Sequence, residues 1–203
     1  MNQPTHTSNA PSFSLCVYCG SRMGDNPLYE AAATEVGTWI GRHGGELIYG
    51  GGNAGLMGVV ALATLAAGGR VYGVIPQALV ARECALQDCT ELHVVDTMHE
   101  RKALMADRAD AFLALPGGVG TFEELFEIWA WRQLGYHSKP IGLLNTDGYY
   151  DSLLTFMQQT VGAGFVSNWQ MDLLMTDPAA STLLPALVQQ AGFGSSIGLA
   201  EKI

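Results

Sequence analysis

Short apolar runs that alternate with helical stretches predict an α/β fold: a doubly wound parallel sheet of about seven strands with helices on both faces. Three observations carry this expectation. The runs are apolar at nearly every position, as strands covered on two sides should be. Helix-length segments with amphipathic spacing lie between them. Glycine-rich turns follow strands, which places them on the carboxyl edge of the sheet, where ligands bind in such folds.

The strands are expected at Ser14–Tyr18, Glu46–Tyr49, Arg70–Ile75, Leu92–Val95, Ala111–Leu115, Pro140–Leu144 and Leu173–Met175. The helices are expected at Pro27–Arg42, Gly55–Ala67, Thr97–Arg108, Thr121–Leu134, Tyr149–Gly162 and Pro178–Gln190. No repeat or linker divides the chain. One domain over residues 13–190 is expected, between an N-terminal tail (1–12) and a C-terminal tail (191–203) that fray.

The bulk numbers agree with a packed domain. The chain has 203 residues, 48% of them hydrophobic and only 14% charged, enough to bury a real core. The formal net charge of −9 opposes nonspecific contact with nucleic acid polymers. No window is apolar over the roughly 18 residues that a membrane span needs, and the N-terminal twelve residues lack a signal-like core. A cytoplasmic location is therefore expected, with no membrane partner.

Four cysteines do not form a disulfide scaffold. Cys16 and Cys19 raise a zinc reading. An odd spacing along a strand points the two thiols to opposite faces, so no metal site is expected there.

The most informative stretch runs from Ala111 to Glu124. It reads as a buried strand, a glycine turn and a helix start rich in carboxylates. Glycine lets backbone N–H groups approach a ligand closely. A helix N-terminus adds unpaired N–H groups and a partial positive charge, so a phosphate suits the corner. Thr121-x-x-Glu124 also fits a capping box. Capping alone does not explain Gly117, Gly118 and Gly120, nor the further acids Glu123 and Glu127.

A second glycine turn, Gly50 to Gly58, contains G-x-G-x-x-G. That pattern alone is weak. A dinucleotide site also needs an acid about 20 residues on, and no Asp or Glu lies between Glu46 and Glu83. NAD is therefore excluded, while a phosphate cradle at Gly51, Gly52, Asn53, Gly55 and Met57 stays open beside simple tight packing. The P-loop pattern is absent.

Thr97-x-x-Glu100 is another capping box, followed by Arg101 and Lys102. Cations near a helix N-terminus are disfavoured by ~0.3–1 kcal/mol. Arg101 is read as a contact to an anion or ribose. Lys102 is either such a contact or part of a solvated face. Gly20, Ser21 and Arg22, after the first strand, lie on the same edge, as does Glu83 after the third. His99 is read as packing near the cap. On the helix from Thr121, Phe122, Leu125, Phe126 and Trp129 form one stripe, and Ile128 and Trp131 a second. The second stripe is read as either a subunit interface or internal core.

With these residues in place, the chain resembles the LOG family of cytokinin riboside 5′-monophosphate phosphoribohydrolases, often mislabelled lysine decarboxylases. The family's Pro-Gly-Gly-x-Gly-Thr-x-x-Glu stands as Pro116–Glu124. Its Gly-Gly-Gly-x-x-Gly-Leu-Met-Gly stands as Gly50–Gly58, its Met-x-x-Arg-Lys as Met98–Lys102, and its Arg-Glu pair as Arg82 and Glu83. The likeness runs from about Leu15 to Phe165.

The resemblance implies a Rossmann-like fold, a homodimer with the site near the subunit interface, and no cofactor or metal. It implies hydrolysis of the N-glycosidic bond of a purine nucleoside 5′-monophosphate, AMP or a cytokinin-type nucleotide, to free base and ribose 5-phosphate. Arg101 and Glu124 take its catalytic positions. Glu83, Lys102, Gly117, Gly118, Val119, Gly120, Thr121 and Glu123 take substrate-binding ones. The alternative is a noncatalytic nucleotide-binding or carrier protein on the same fold. The lysine decarboxylase label finds no support, since Lys102, Lys139 and Lys202 lie in no evident Schiff-base setting.

Overall fold

The computed structural model describes residues 10–80 and 85–193. Of the tails expected over 1–12 and 191–203, residues 1–9 and 194–203 lie outside the described residues, as does the predicted site residue Glu83.

Seven strands form one parallel sheet, in the order β4-β3-β2-β1-β5-β6-β7. They are β1 (Ser14–Tyr18), β2 (Glu46–Tyr49), β3 (Arg70–Pro76), β4 (Glu91–Val95), β5 (Ala111–Ala114), β6 (Ile141–Leu144) and β7 (Leu174–Asp177). The helices are α1 (Pro27–Arg42), α2 (Gly55–Ala66), α3 (Met98–Arg108), α4 (Val119–Gln133), α5 (Asp151–Gly162), α6 (Asn168–Met171) and α7 (Ala180–Val188). None is long and apolar enough to cross a membrane among the described residues.

The expected elements are present, most with bounds shifted by one or two residues. The single turn of α6 was not expected.

The central strands serve two cores, because successive side chains point to opposite faces. Leu15 and Val17 of β1 join the core under α1, α2 and α7. Cys16 and Tyr18 join the core under α3, α4 and α5. Burying a Leu or Val side chain contributes roughly 1.5–3 kcal/mol, so strands buried on both faces anchor two layers of helices. The same alternation sends Cys19 into the first core and Cys16 into the second. Burial pushes both thiols well above the ordinary cysteine range, which keeps them protonated and unreactive.

The chain begins in the middle of the sheet, runs outward to β4, and returns to lay β5 against β1. Leu15 pairs with Ala111 and Tyr18 with Ala114. This is the topological switch point, where the loops leaving the two strands diverge and open a crevice.

The opposite edge of the sheet is held by charge. Glu46, buried at the start of β2, accepts hydrogen bonds from Arg70 Nε at 3.1 Å and Arg108 Nε at 2.9 Å. Arg70 also reaches Glu91 at 2.8 Å, and Arg108 lies over the Tyr72 ring at 4.7 Å. Removing one member of a buried pair strands its partners. Both arginines here are partly exposed and can recover some hydration. Glu46→Gln is therefore expected to lower the unfolding free energy by about 2 kcal/mol in urea denaturation, with no change in ligand binding at the far edge.

Candidate active site

The crevice between the β1 and β5 loops holds a cavity of about 530 Å³, within the size range of small-molecule sites. One wall is the corner Pro116–Thr121, and another is Cys19–Gly24 after β1. Arg101 of α3 and Glu123 and Glu124 of α4 make the polar end, beside Leu56 and Met57 of α2 and Met98 of α3. Tyr29, Leu79 and Tyr149 supply further apolar surface.

Helix α4 starts earlier than expected. Its N-cap is Gly118, which makes no side-chain cap hydrogen bond. Thr121 is therefore not a cap but the third helical residue, and the expected capping box with Glu124 does not form. Thr121 is buried instead, seated on Gly117. A Cβ on Gly117 would lie 2.1 Å from Thr121 Oγ1 and 2.9 Å from the backbone nitrogen of Gly20. Gly117 is thus required by packing. Gly118 and Gly120 are not, because a Cβ on either would meet nothing within 4 Å. Their bare backbone faces open space at the helix start, where unpaired N–H groups collect.

By contrast, the capping box at α3 forms as expected. Thr97 Oγ1 accepts from the Glu100 N–H, and the Glu100 carboxylate accepts from the Thr97 N–H. The cap sets the register of α3 and so aims the next two residues. Arg101 is buried and lines the cavity, with Nη2 3.8 Å from Glu124 Oε1. Its Nε is buried and has no hydrogen-bond partner among the described residues. Such a donor is costly to leave unmade.

Lys102 takes a different route. Its ammonium meets Glu123 at 2.5 Å and Glu127 at 2.9 Å, so it is no solvated face. Burial works against its charge, but the two carboxylates outweigh burial and hold its pKa above the ordinary lysine value. The adjacent residues Arg101 and Lys102 therefore tie α3 to α4 by two rungs.

The remaining predicted residues divide. Gly20 and Ser21 line the cavity, as does Met57. Gly51 and Gly52 are buried away from it, Gly51 against Ile75 and Leu92, and Gly52 bridged to Ala85. Asn53 is exposed, and Gly55 lies under the backbone of Ser21 and Arg22. The second glycine turn thus supports the site from beneath. Gly50 shows how: a Cβ there would lie 2.0 Å from Arg101 Nη2.

Ile128 and Trp131, read as a second apolar face, turn toward the core. The exposed apolar groups of α4 are Val119 and Phe126, with Leu134 just beyond its end. No sequence motif marks Tyr29, Leu79 or Tyr149. Met98 is marked in the sequence only as the first residue of Met-x-x-Arg-Lys.

A doubly wound α/β sheet with a buried Arg–Glu pair and a bare helix start at its switch point defines a class: a small-molecule enzyme or binding protein that handles an anionic ligand. The family described as "Possible lysine decarboxylase" matches residues 57–187. The chain is 47% identical over 173 residues to the cytokinin riboside 5′-monophosphate phosphoribohydrolase LOG2 of Arabidopsis thaliana, covering 85% of this chain and 81% of that one. It is 49% identical over 173 residues to the probable phosphoribohydrolase LOGL9 of Oryza sativa subsp. japonica, covering 85% and 76%. Among solved structures it resembles the molybdenum cofactor carrier protein of Chlamydomonas reinhardtii, with a TM-score of 0.62 at 22% identity, covering 88% of this chain and 96% of that one. That likeness establishes the fold alone. The chain belongs to the LOG, or "Possible lysine decarboxylase", family.

The contact at Gly50 is directly testable. In Gly50→Ala the clash falls on the tip of a flexible side chain, so the fold yields at little cost and Arg101 is displaced. Thermal stability is expected to change by less than about 1 kcal/mol, while ligand-dependent activity falls at least about tenfold, a barrier increase of about 1.4 kcal/mol.

Proposed function

We propose that this protein hydrolyses the N-glycosidic bond of purine nucleoside 5′-monophosphates, releasing the free base and ribose 5-phosphate. The observation that carries this reading is the buried Arg101–Glu124 pair at one end of a cavity whose other wall is the bare start of α4. The named activity of relatives such as LOG2 supports it.

In this reading the phosphate rests on the N–H groups of Gly118, Val119 and Gly120, with Gly20 and Ser21 beside it. The cation Arg22 lies at the same wall. The Arg101 guanidinium, at the cavity wall, donates to the ribose or phosphate. As the bond from C1′ to the base nitrogen breaks, its electron pair leaves with the base and positive charge builds on the ribose. The Glu124 carboxylate opposes that charge and orients the ribose hydroxyls or the attacking water. Water gives its oxygen to C1′, and the departing base gains a proton.

Schiff-base chemistry fits poorly, since it needs a neutral lysine. Lys102 is held charged by two carboxylates, and Lys139 donates to the Ala106 and Asp107 carbonyls.

We place the active form as a homodimer in the cytoplasm. Met98 and Val119 are exposed at the cavity, and Phe126 and Leu134 extend the exposed apolar surface along α4 to its far end, a surface that a second copy would cover.

Incubation with AMP is expected to release adenine. Stoichiometric binding without release would replace the hydrolase with a carrier. Glu124→Ala is expected to cut turnover at least about a hundredfold while nucleotide affinity stays within about tenfold, a limit of about 1.4 kcal/mol. Unchanged turnover would remove Glu124 from its role. Sedimentation should show a dimer, and a fully active monomer would refute the shared surface.

A further inference from the structure

Three consecutive carbonyls in the corner after β5 are each held by a different element. The Leu115 carbonyl accepts from the Tyr150 hydroxyl at 2.6 Å. The Pro116 carbonyl accepts from the Gly20 N–H at 3.0 Å. The Gly117 carbonyl accepts from the Tyr149 hydroxyl.

A trans peptide points its C=O and the following N–H in opposite directions. Fixing a carbonyl therefore fixes the direction of the next amide proton. The bond from Gly20 aims the N–H of Gly117, and the bond from Tyr149 aims the N–H of Gly118. The bond from Tyr150 aims none, because the next residue is Pro116, which has no N–H.

Tyr149 is built as a strut. Its ring stands edge-on to Tyr29 of α1 at 5.4 Å and edge-on to Tyr150 at 4.9 Å. It also lines the cavity. Tyr150 is fully buried, and Asn145 Oδ1 accepts from its N–H at 2.7 Å, which anchors the pair of tyrosines to the end of β6.

We propose that Tyr149 is a positioning residue for the phosphate subsite. Its hydroxyl locks the Gly117–Gly118 peptide so that the Gly118 N–H is presented to the ligand's phosphate. Tyr150, one residue along and equally well bonded, supports the fold without aiming a donor. This assignment deepens the proposed function and rests on its placement of the phosphate at the start of α4.

Tyr149→Phe keeps the ring and both aromatic contacts and removes only the hydroxyl. The KM for AMP is expected to rise at least about fivefold, with kcat changed by less than about twofold, the pattern of lost binding that ground state and transition state share. Binding of ribose 5-phosphate, measured by calorimetry, should weaken by the same factor, while binding of adenosine, which lacks the phosphate, stays unchanged. Tyr150→Phe should lower the melting temperature and leave KM and ribose 5-phosphate affinity within about twofold, the comparison by which binding loss is separated from stability loss.

A folded Tyr149→Phe protein with unaltered ribose 5-phosphate affinity overturns the assignment. So does equal loss of ribose 5-phosphate and adenosine binding. Because the calorimetric arm needs no turnover, a wild type that binds ribose 5-phosphate but releases no adenine from AMP would refute the hydrolase reading and leave this one standing.

Discussion

The pairing of β1 with β5 is the constraint on which the rest of the molecule depends. It reverses the direction in which the sheet grows, so the loops that follow these two neighbouring strands must part. The gap between them is the cavity. The same pairing carries the loops close enough for the Gly20 N–H to reach the Pro116 carbonyl. Gly117 then sits where no side chain fits, between Gly20 and Thr121. Crevice and corner have one origin.

Charge is used in two different ways at the two edges of the sheet. At the amino edge Glu46 is enclosed by Arg70 and Arg108, and its hydrogen bonds are made. That cluster clamps strands to α3 and leaves little capacity for a ligand. At the carboxyl edge Lys102 is likewise committed, to Glu123 and Glu127. Arg101, its neighbour on α3, stands at 3.8 Å from Glu124 with one donor unmatched. Low local dielectric makes such an unmatched buried donor costly. Adjacent residues thus divide two tasks: Lys102 fastens α3 to α4, and Arg101 faces the cavity.

Much of this was legible along the chain because it depends on local pattern. The central strands are buried on both faces and read as apolar runs, and the edge strands β4 and β7, half-exposed, still keep short apolar stretches at Leu92–Val95 and Leu174–Met175. The Thr97–Glu100 cap is a contact across three residues and was read correctly. The start of α4 was misread because Gly118-Val119-Gly120 has poor helix propensity, whereas Thr121-x-x-Glu124 looks like a cap. Tertiary contacts override that preference: Tyr149 holds Gly117 from 32 residues away, and Thr121 packs beneath it. Helix α6 left a signal that went unused, the capping box of Ser167 and Gln170.

The sequence by itself determined the order of elements, the two glycine corners and the family, because periodicity, turn chemistry and motif spacing are properties of neighbours in the chain. Only the tertiary structure decided which glycines face the cavity and which support it from below, that Lys102 turns to Glu123 and Glu127 while Arg101 turns to the cavity and Glu124, and that two adjacent tyrosines have different roles. Those distinctions depend on which atoms meet across tens of residues, and on which side of a peptide plane a hydrogen bond falls. Neither is recorded in the order of residues until the sheet has closed.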